Sequence, residues 1–176
     1  MAEVVVERPE RRILVAVDES EESSYALSWC LENIVSSSSQ NKDSLILLYA
    51  KPPRTLYPTL DGTGAAAGYI LSSDVMESME RYNNEVAASV LDKAKRECSS
   101  VLNNDEIKVE TMAEYGDPRD VICQVAERMN VDVVVMGSHG YGLIQRTFLG
   151  SVSNHCAQNL KCPVLIVKKP KSNGGN

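Results

Sequence analysis

Three glycines and a serine beyond an apolar strand are the residues of this chain best suited to bind an anion. Gly137 comes directly after the apolar run 131–136 and is followed by Gly140, and nine further residues separate Gly140 from Gly150 and Ser151. Glycine lets a ligand approach backbone N–H groups closely. A helix beginning at the far end of the loop adds unpaired amide donors and a partial positive charge. We therefore predict that phosphate oxygens bind near Gly137, Gly140, Gly150, Ser151 and Val152.

An acidic residue at the end of another strand pattern supplies complementary chemistry. Asp18 follows the apolar run 12–17, and its carboxylate can accept from ribose hydroxyls or hold a divalent cation such as Mg²⁺ through water. The alternative is a helix cap, with Glu21 completing a capping box. Arg146 adds charge within the glycine loop. Small or apolar residues that could line a slot for a planar base are Ala16, Val17 and Ala50.

Established phosphate-binding motifs and catalytic pairs do not match this loop. The P-loop pattern is absent, and the dinucleotide-binding fingerprint fails because Gln145 stands where a third glycine is needed. His139 has no nearby nucleophile or carboxylate pattern. His155 and Cys156 are adjacent on a predicted helix and point to different faces. We predict no catalytic residue.

Strand and helix patterns alternate along the chain. The predicted strands cover residues 12–17, 44–50, 107–112, 132–136 and 163–167, and the predicted helices begin near Ser20, Ser73, Asp117 and Ser151. The second helix is expected to pack through Met79, Tyr82, Val86, Val90 and Ala94. This order predicts an α/β fold, an open doubly wound parallel sheet of five strands with helices on both faces. Ligands of such sheets bind beyond the carboxyl ends of the strands, so Asp18 and the glycine loop share a crevice if strands one and four are neighbours.

Length and charge restrict the class of protein. The 176 residues suit one domain at 11–168, with a flexible arm at 1–10 and a disordered tail at 169–176. The net charge of −6 argues against nucleic acid or an anionic membrane as a partner. No apolar run reaches the length of a membrane span, and the first residues lack a signal-peptide pattern. We expect the protein to be cytoplasmic, and a nuclear location is an open alternative.

The five cysteines do not follow a disulfide or zinc pattern. Their number is odd and none form C-x-x-C. We expect Cys30, Cys123 and Cys156 to be buried as small apolar residues, and Cys98 and Cys162 to be more exposed.

The spacing Gly137-x2-Gly140-x9-Gly150-Ser151 resembles the ATP-binding signature of the universal stress protein family. The resemblance covers nearly the whole chain. Its other segments are 13–20 for the first strand and acidic residue, 133–140 for the strand and loop before the phosphates, and 162–167 for the closing strand. The single-domain form with a long central loop is most similar to plant members.

The resemblance implies a Rossmann-like fold with strand order 3-2-1-4-5, which places Asp18 beside the glycine loop. It implies ATP or AMP as the ligand, with Asp18 at the ribose or a metal ion and Ala50 near adenine. The signature glycines and Ser151 would hold the phosphates. Met136 and Ser138 lie in the matching strand and loop and are counted with the site.

The resemblance also implies dimerisation through the last strand, residues 163–168. Two positions depart from the family pattern. Tyr49 and Ala50 stand where histidine and valine are usual, and this loosens the expected adenine slot.

The function expected from these observations is that of a nucleotide-dependent regulator in the stress response, with an unidentified protein partner. Two alternatives stay open. One is a slow ATPase, which rests on fold analogy. The other is a redox-regulated chaperone whose assembly responds to its cysteines.

Overall fold

The computed structural model describes residues 10–35, 43–53, 73–102, 107–139 and 149–170. The strands are β1 (Arg11–Ala16), β2 (Asp43–Lys51), β3 (Lys108–Tyr115), β4 (Val133–Gly137) and β5 (Val164–Val167). The helices are α1 (Glu21–Cys30), α2 (Ser73–Val101), α3 (Pro118–Arg128) and α4 (Ser151–Asn159), and α1 continues as a π-helical turn at Leu31–Val35. Apart from Glu10, Lys169 and Pro170, the predicted arm and tail lie outside the described residues.

The five strands form one parallel sheet in the order β3-β2-β1-β4-β5. The central strand β1 pairs with β2 on one side and β4 on the other, so that Leu14 lies beside both Ile46 and Val134. The predicted fold class and strand order are confirmed. The order of the strands reverses at β1 and β4, and their carboxyl ends are therefore neighbours, as a crevice between Asp18 and the glycine loop requires.

Helices cover both faces of the sheet, as predicted. Side chains alternate along a strand. Ile13 and Val15 pack in one apolar cluster with residues of α1 and α2, whereas Leu14 packs in a second cluster with residues of α3 and α4. All three side chains are fully buried. Burial of each contributes about 1.5–3 kcal/mol, which makes β1 a rigid support for the residues that follow it.

The predicted packing face of α2 is only partly correct. Its buried residues are Ala87, Leu91, Ala94 and Cys98, whereas Met79 and Tyr82 are 47% and 66% exposed. Met79 and Tyr82 are exposed because α2 is longer than the strand that it covers. The 29 residues of α2 span about 43 Å, compared with about 30 Å for the nine residues of β2 beneath it. Among the described helices, α2 included, none combines the length and apolar character needed to cross a membrane.

The burial of the cysteines differs from the expectation at two positions. Cys98 is 1% exposed, and the expectation that it is accessible was wrong because it continues the buried stripe of α2. Cys123 is half-buried rather than buried, Cys162 is half-buried, and all five thiols are free. Burial is the main cause that raises the pKa of Cys30, Cys98 and Cys156 to about 12. Few of these thiols are ionised at neutral pH.

The N-terminus of α1 is capped by Ser20. The Ser20 hydroxyl accepts from the Ser23 amide at 3.1 Å. The interpretation of Asp18 as the cap of a box with Glu21 is therefore wrong. Asp18 precedes the cap, and its Oδ1 accepts from the Ser20 amide at 2.8 Å.

Helix α3 begins as its sequence predicts, with Asp117 as N-cap and Pro118 as the first helical residue. Asp117 accepts from the amide of Arg119 at 2.9 Å, and the Arg119 guanidinium donates to both carboxylate oxygens, at 2.9 and 2.6 Å. The side-chain hydrogen bond, followed by the amide, lowers the pKa of Asp117 to about 2.

This lowered pKa predicts a small acid dependence of stability. The unfolded carboxyl has a pKa of about 3.9, so the stabilisation is fully present above that pH and is lost as the pH falls through about 2. We expect an effect below about 1 kcal/mol, because the pair is solvent-exposed. Asp117→Asn keeps an acceptor for the cap and should flatten this part of the profile. Urea unfolding of both proteins at pH 4, 3 and 2 measures the difference, and parallel profiles would contradict the assignment.

Candidate functional site

A cavity of about 520 Å³ opens at the carboxyl ends of β1, β2 and β4. The position agrees with the rule that ligands of open α/β sheets bind where the strand order reverses. The sequence-predicted residues that line this cavity are Ala16, Val17, Asp18, Ala50, Met136, Gly137, Gly150, Ser151 and Val152. Residues far apart in the chain are thus brought together at one edge of the sheet.

Three predicted site residues are not among the lining residues. Gly140 and Arg146 lie outside the described residues. Ser138 is 5% exposed and has a supporting place in the structure. Its amide donates to the Val167 carbonyl at 3.1 Å, and its hydroxyl lies 3.1 Å from Nδ1 of His139.

The start of α4 is fixed against the end of β4 by hydrogen bonds to the Ser138 carbonyl. The Gly150 amide donates to that carbonyl at 2.8 Å. The Ser153 hydroxyl donates to the same carbonyl and to the Gly150 carbonyl, both at 3.0 Å. These bonds hold the first turn of α4 at the wall of the cavity, which Gly150, Ser151, Val152 and Ser153 all line.

The N-terminus of α4 carries no side-chain cap. Gly150 is the N-cap residue and Ser151 is the first helical residue, so the interpretation of Ser151 as a cap is wrong. The first turn has no acidic or basic side chain. Its amides therefore present a partial positive charge at the cavity wall, where an anion can bind them.

Both described glycines of the signature stand where a Cβ atom has little room. At Gly137 an added Cβ would lie 3.0 Å from the backbone carbonyl of Glu22, at the start of α1. At Gly150 it would lie 3.0 Å from the Ser138 carbonyl oxygen. The two glycines therefore allow the β4 end, α1 and α4 to pack closely around the cavity.

Asp18, which also lines the cavity, lies in a short segment fixed by serines. The Ser23 hydroxyl accepts from the Asp18 amide and donates to the Asp18 carbonyl, both at 3.1 Å. Together with the bond from the Ser20 amide to Oδ1, these contacts orient Asp18 at the cavity. Glu19 lines the cavity as well, and the described lining residues include no lysine or arginine.

Sequence reasoning missed part of the cavity wall. The lining residues that it did not assign are Glu19, Ser23, Leu48, Tyr49, Pro52, Pro53, Gly116, Pro118, Ile122, His139 and Ser153. The signal that could have identified part of this wall is the glycine in the turn after β3. Gly116 has a φ of +145°, its amide donates to the Lys51 carbonyl at 3.0 Å, and it thereby brings this turn beside the end of β2.

The topology and the cavity define a doubly wound α/β protein with a cavity at the switch point of the sheet. The chain belongs to the universal stress protein family, whose model matches residues 10–168. Universal stress protein A-like protein of Arabidopsis thaliana is 29% identical over 167 residues, covering 90% of each chain.

Solved structures of the family have the same fold. Universal stress protein MJ0577 of Methanocaldococcus jannaschii superposes with a TM-score of 0.70 at 25% identity, covering 92% of this chain and 98% of that one. A family protein from Arabidopsis thaliana, solved with AMP bound, gives a TM-score of 0.62 at 24% identity, covering 92% and 93%.

Proposed function

We propose that this protein binds an adenine nucleotide, ATP or AMP, in the cavity at the carboxyl ends of β1, β2 and β4. The observation that carries the proposal is that groups of opposite charge line this one cavity. The uncapped N-terminus of α4 and the acidic residue Asp18 are both among its lining residues. A phosphorylated sugar presents these two chemistries at its two ends, an anion and a set of hydroxyl donors.

Each end of the nucleotide has suitable partners in this arrangement. The phosphates bind the amides near Gly137, Gly150, Ser151 and Val152, and the Ser151 hydroxyl is a further donor. The ribose hydroxyls donate to Asp18. The known AMP complex of an Arabidopsis family member supports an adenine nucleotide as the ligand.

The base is proposed to bind among the apolar lining residues of the cavity. Ala16, Ala50 and Met136 line it together with residues that follow β2 and β3, namely Pro52, Pro53, Gly116, Pro118 and Ile122. A planar, weakly polar ring suits such a surface better than a second charged group would.

A triphosphate requires a cation in this cavity more than a monophosphate does. Asp18 and Glu19 both line it, and their charges repel a polyphosphate. Among the described residues, no group of three or more histidine, cysteine or acidic side chains could hold a metal ion. Mg²⁺ would therefore be shared between the phosphates and Asp18 through water, as is common for this ion.

The biological role that we propose is nucleotide-dependent regulation in the stress response. A homodimer through residues 163–168 is part of this proposal, and the position of β5 at an edge of the sheet is compatible with it. The raised pKa values of the buried thiols are the reason why we do not prefer the redox alternative.

Isothermal titration of the purified protein with AMP, and with ATP and Mg²⁺, tests the proposal. We expect binding in the sub-millimolar range. Asp18→Asn should weaken AMP binding about tenfold, the scale of one hydrogen bond to a charged group, and should not weaken binding of 2′,3′-dideoxy-AMP. Asp92→Asn removes the same charge from an exposed position on α2 and is the matched control. No heat with either nucleotide at millimolar concentration would refute nucleotide binding.

A further inference from the structure

The segment that carries Asp18 has open space on two sides. Val17, Asp18 and Glu19 line the cavity described above, and they also line a second cavity of about 210 Å³ between α1 and α2. Val17 is buried in the apolar core, whereas Asp18 is half-buried and Glu19 is exposed, so side-chain packing contributes less to the positions of these two residues. Hydrogen bonds must fix the position of Asp18 instead.

Most of these hydrogen bonds tie the segment to its own helix. The Ser23 hydroxyl bonds the Asp18 backbone, and the Ser20 amide bonds the Asp18 carboxylate, so both contacts move with α1. The Val17 amide donates to the Leu48 carbonyl at 2.9 Å and ties the start of the segment to β2.

Tyr49 ties the far end of the segment to β2. Its hydroxyl donates to Oε1 of Glu19 at 3.0 Å. Tyr49 is 5% exposed and packs in the apolar cluster beneath α1 and α2, whereas Glu19 is exposed. A rigid residue thus fixes a side chain that packing leaves free to move.

The phenol stays a donor under all ordinary conditions. Burial, and then the hydrogen bond to Glu19, raise the pKa of Tyr49 far above its usual value. The bond also directs the Glu19 carboxylate toward β2. Glu19 is next in the chain to Asp18, the proposed ribose acceptor.

We infer that Tyr49 is a positioning residue, whose hydroxyl acts through Glu19 to hold Asp18 in place for the ribose. The inference rests on the proposed function, because Asp18 is the ribose acceptor in it. In this role Tyr49 affects ribose binding only indirectly, through Glu19 and Asp18. The ribose hydroxyls are therefore the part of the ligand whose binding should depend on Tyr49.

Tyr49→Phe tests the inference because it removes only the hydroxyl and keeps the ring in the core. We expect AMP to bind about fivefold more weakly, on the scale of one hydrogen bond, and 2′,3′-dideoxy-AMP to bind as it does to wild type. Glu19→Gln keeps an oxygen acceptor for the phenol and should retain the ribose preference. Tyr115→Phe removes a phenol at the end of the neighbouring strand, where it donates to Asn84 rather than to a cavity residue, and is the control.

A measurement without ligand separates this inference from nucleotide binding itself. Amide hydrogen exchange of residues 17–20 should be faster in Tyr49→Phe than in wild type and in Tyr115→Phe. Equal loss of affinity for AMP and the dideoxy compound would overturn the inference, because it would indicate a general role in the wall. A ribose preference that Asp18→Asn removes and Tyr49→Phe retains would overturn it while leaving the proposed function intact. Unchanged exchange in residues 17–20 would overturn it even if no nucleotide binds.

Discussion

Replacement of Ser151 by aspartate should strongly weaken nucleotide binding and leave the protein folded. Ser151 is the first residue of α4, it is exposed, and it lines the cavity where the phosphates are proposed to bind. A carboxylate there stands within about 4 Å of a phosphate, and at the effective dielectric constant of a protein surface the repulsion is about 4 kcal/mol. Allowing for solvent screening, we expect a loss of affinity on the order of 100-fold.

The helix itself should tolerate this change. An acidic side chain in the first turn interacts favourably with the helix dipole, so the free energy of unfolding should stay constant or rise by a few tenths of a kcal/mol. Titration calorimetry with AMP and a thermal melt of the same sample measure the two effects.

Asn154→Asp provides a matched control for the Ser151 variant. Asn154 is exposed on the same helix, and it is not among the residues that line the cavity. The same unit of negative charge at this position should change the affinity only slightly, since it lies one turn further along α4. If both variants lose affinity equally, the effect is one of net charge and the phosphate site lies elsewhere.

Much of this fold could be predicted because β4, most of β1 and the middle of β2 are continuously apolar and most of its helices have clear starts. The run around Leu14 requires burial on both faces, which in turn requires helices on both sides of the sheet. Asp117 and Pro118 define the start of α3 without ambiguity. The start of α1 is harder to predict, because Asp18 and Ser20 are both good cap residues and only the tertiary structure decides between them.

The predicted part of the candidate site lies at the ends of β1, β2 and β4 and at the start of α4. Local sequence indicates where each of these elements begins or ends, and the pairing of β1 with β4 then brings them together. The wall formed by Gly116, Pro118 and Ile122 could not be placed from local patterns. It depends on which strand lies beside β2, and periodicity within one segment carries no information about that neighbour.

Tyr49 illustrates a second limit of sequence reasoning. The middle of β2, residues 45–48, is continuously apolar, and such a pattern does not tell which face of the sheet a given side chain joins. The hydrogen bond to Glu19 shows that Tyr49 lies on the face of α1 and α2, where it supports the segment around Asp18.

Removal of the Arg11 side chain should destabilise the protein more than any surface substitution. The parallel register places Arg11 beside Asp43 at the amino ends of β1 and β2. The guanidinium donates to both carboxylate oxygens of Asp43, at 3.1 and 2.7 Å, and to the Ile34 carbonyl at 3.3 Å. The Asp43 side chain is 1% exposed, so Arg11→Met leaves a buried carboxylate without its cation. We expect a loss of about 3–5 kcal/mol in the free energy of unfolding, measured by urea denaturation.

Two comparisons distinguish a buried ion pair from general disruption. Arg128→Met breaks an exposed pair with Glu114 and should cost less than about 1 kcal/mol. The double variant Arg11→Met with Asp43→Leu removes both charges and should recover part of the stability, because no buried charge is then left unpaired. AMP affinity should be unchanged in the single variant under conditions where it is folded. The pair lies roughly 17 Å along β1 from the cavity, on the side of the sheet where strands begin and ligands do not bind. If the double variant is less stable than Arg11→Met alone, the loss of stability comes from lost packing at the amino ends of β1 and β2 and not from an unpaired charge.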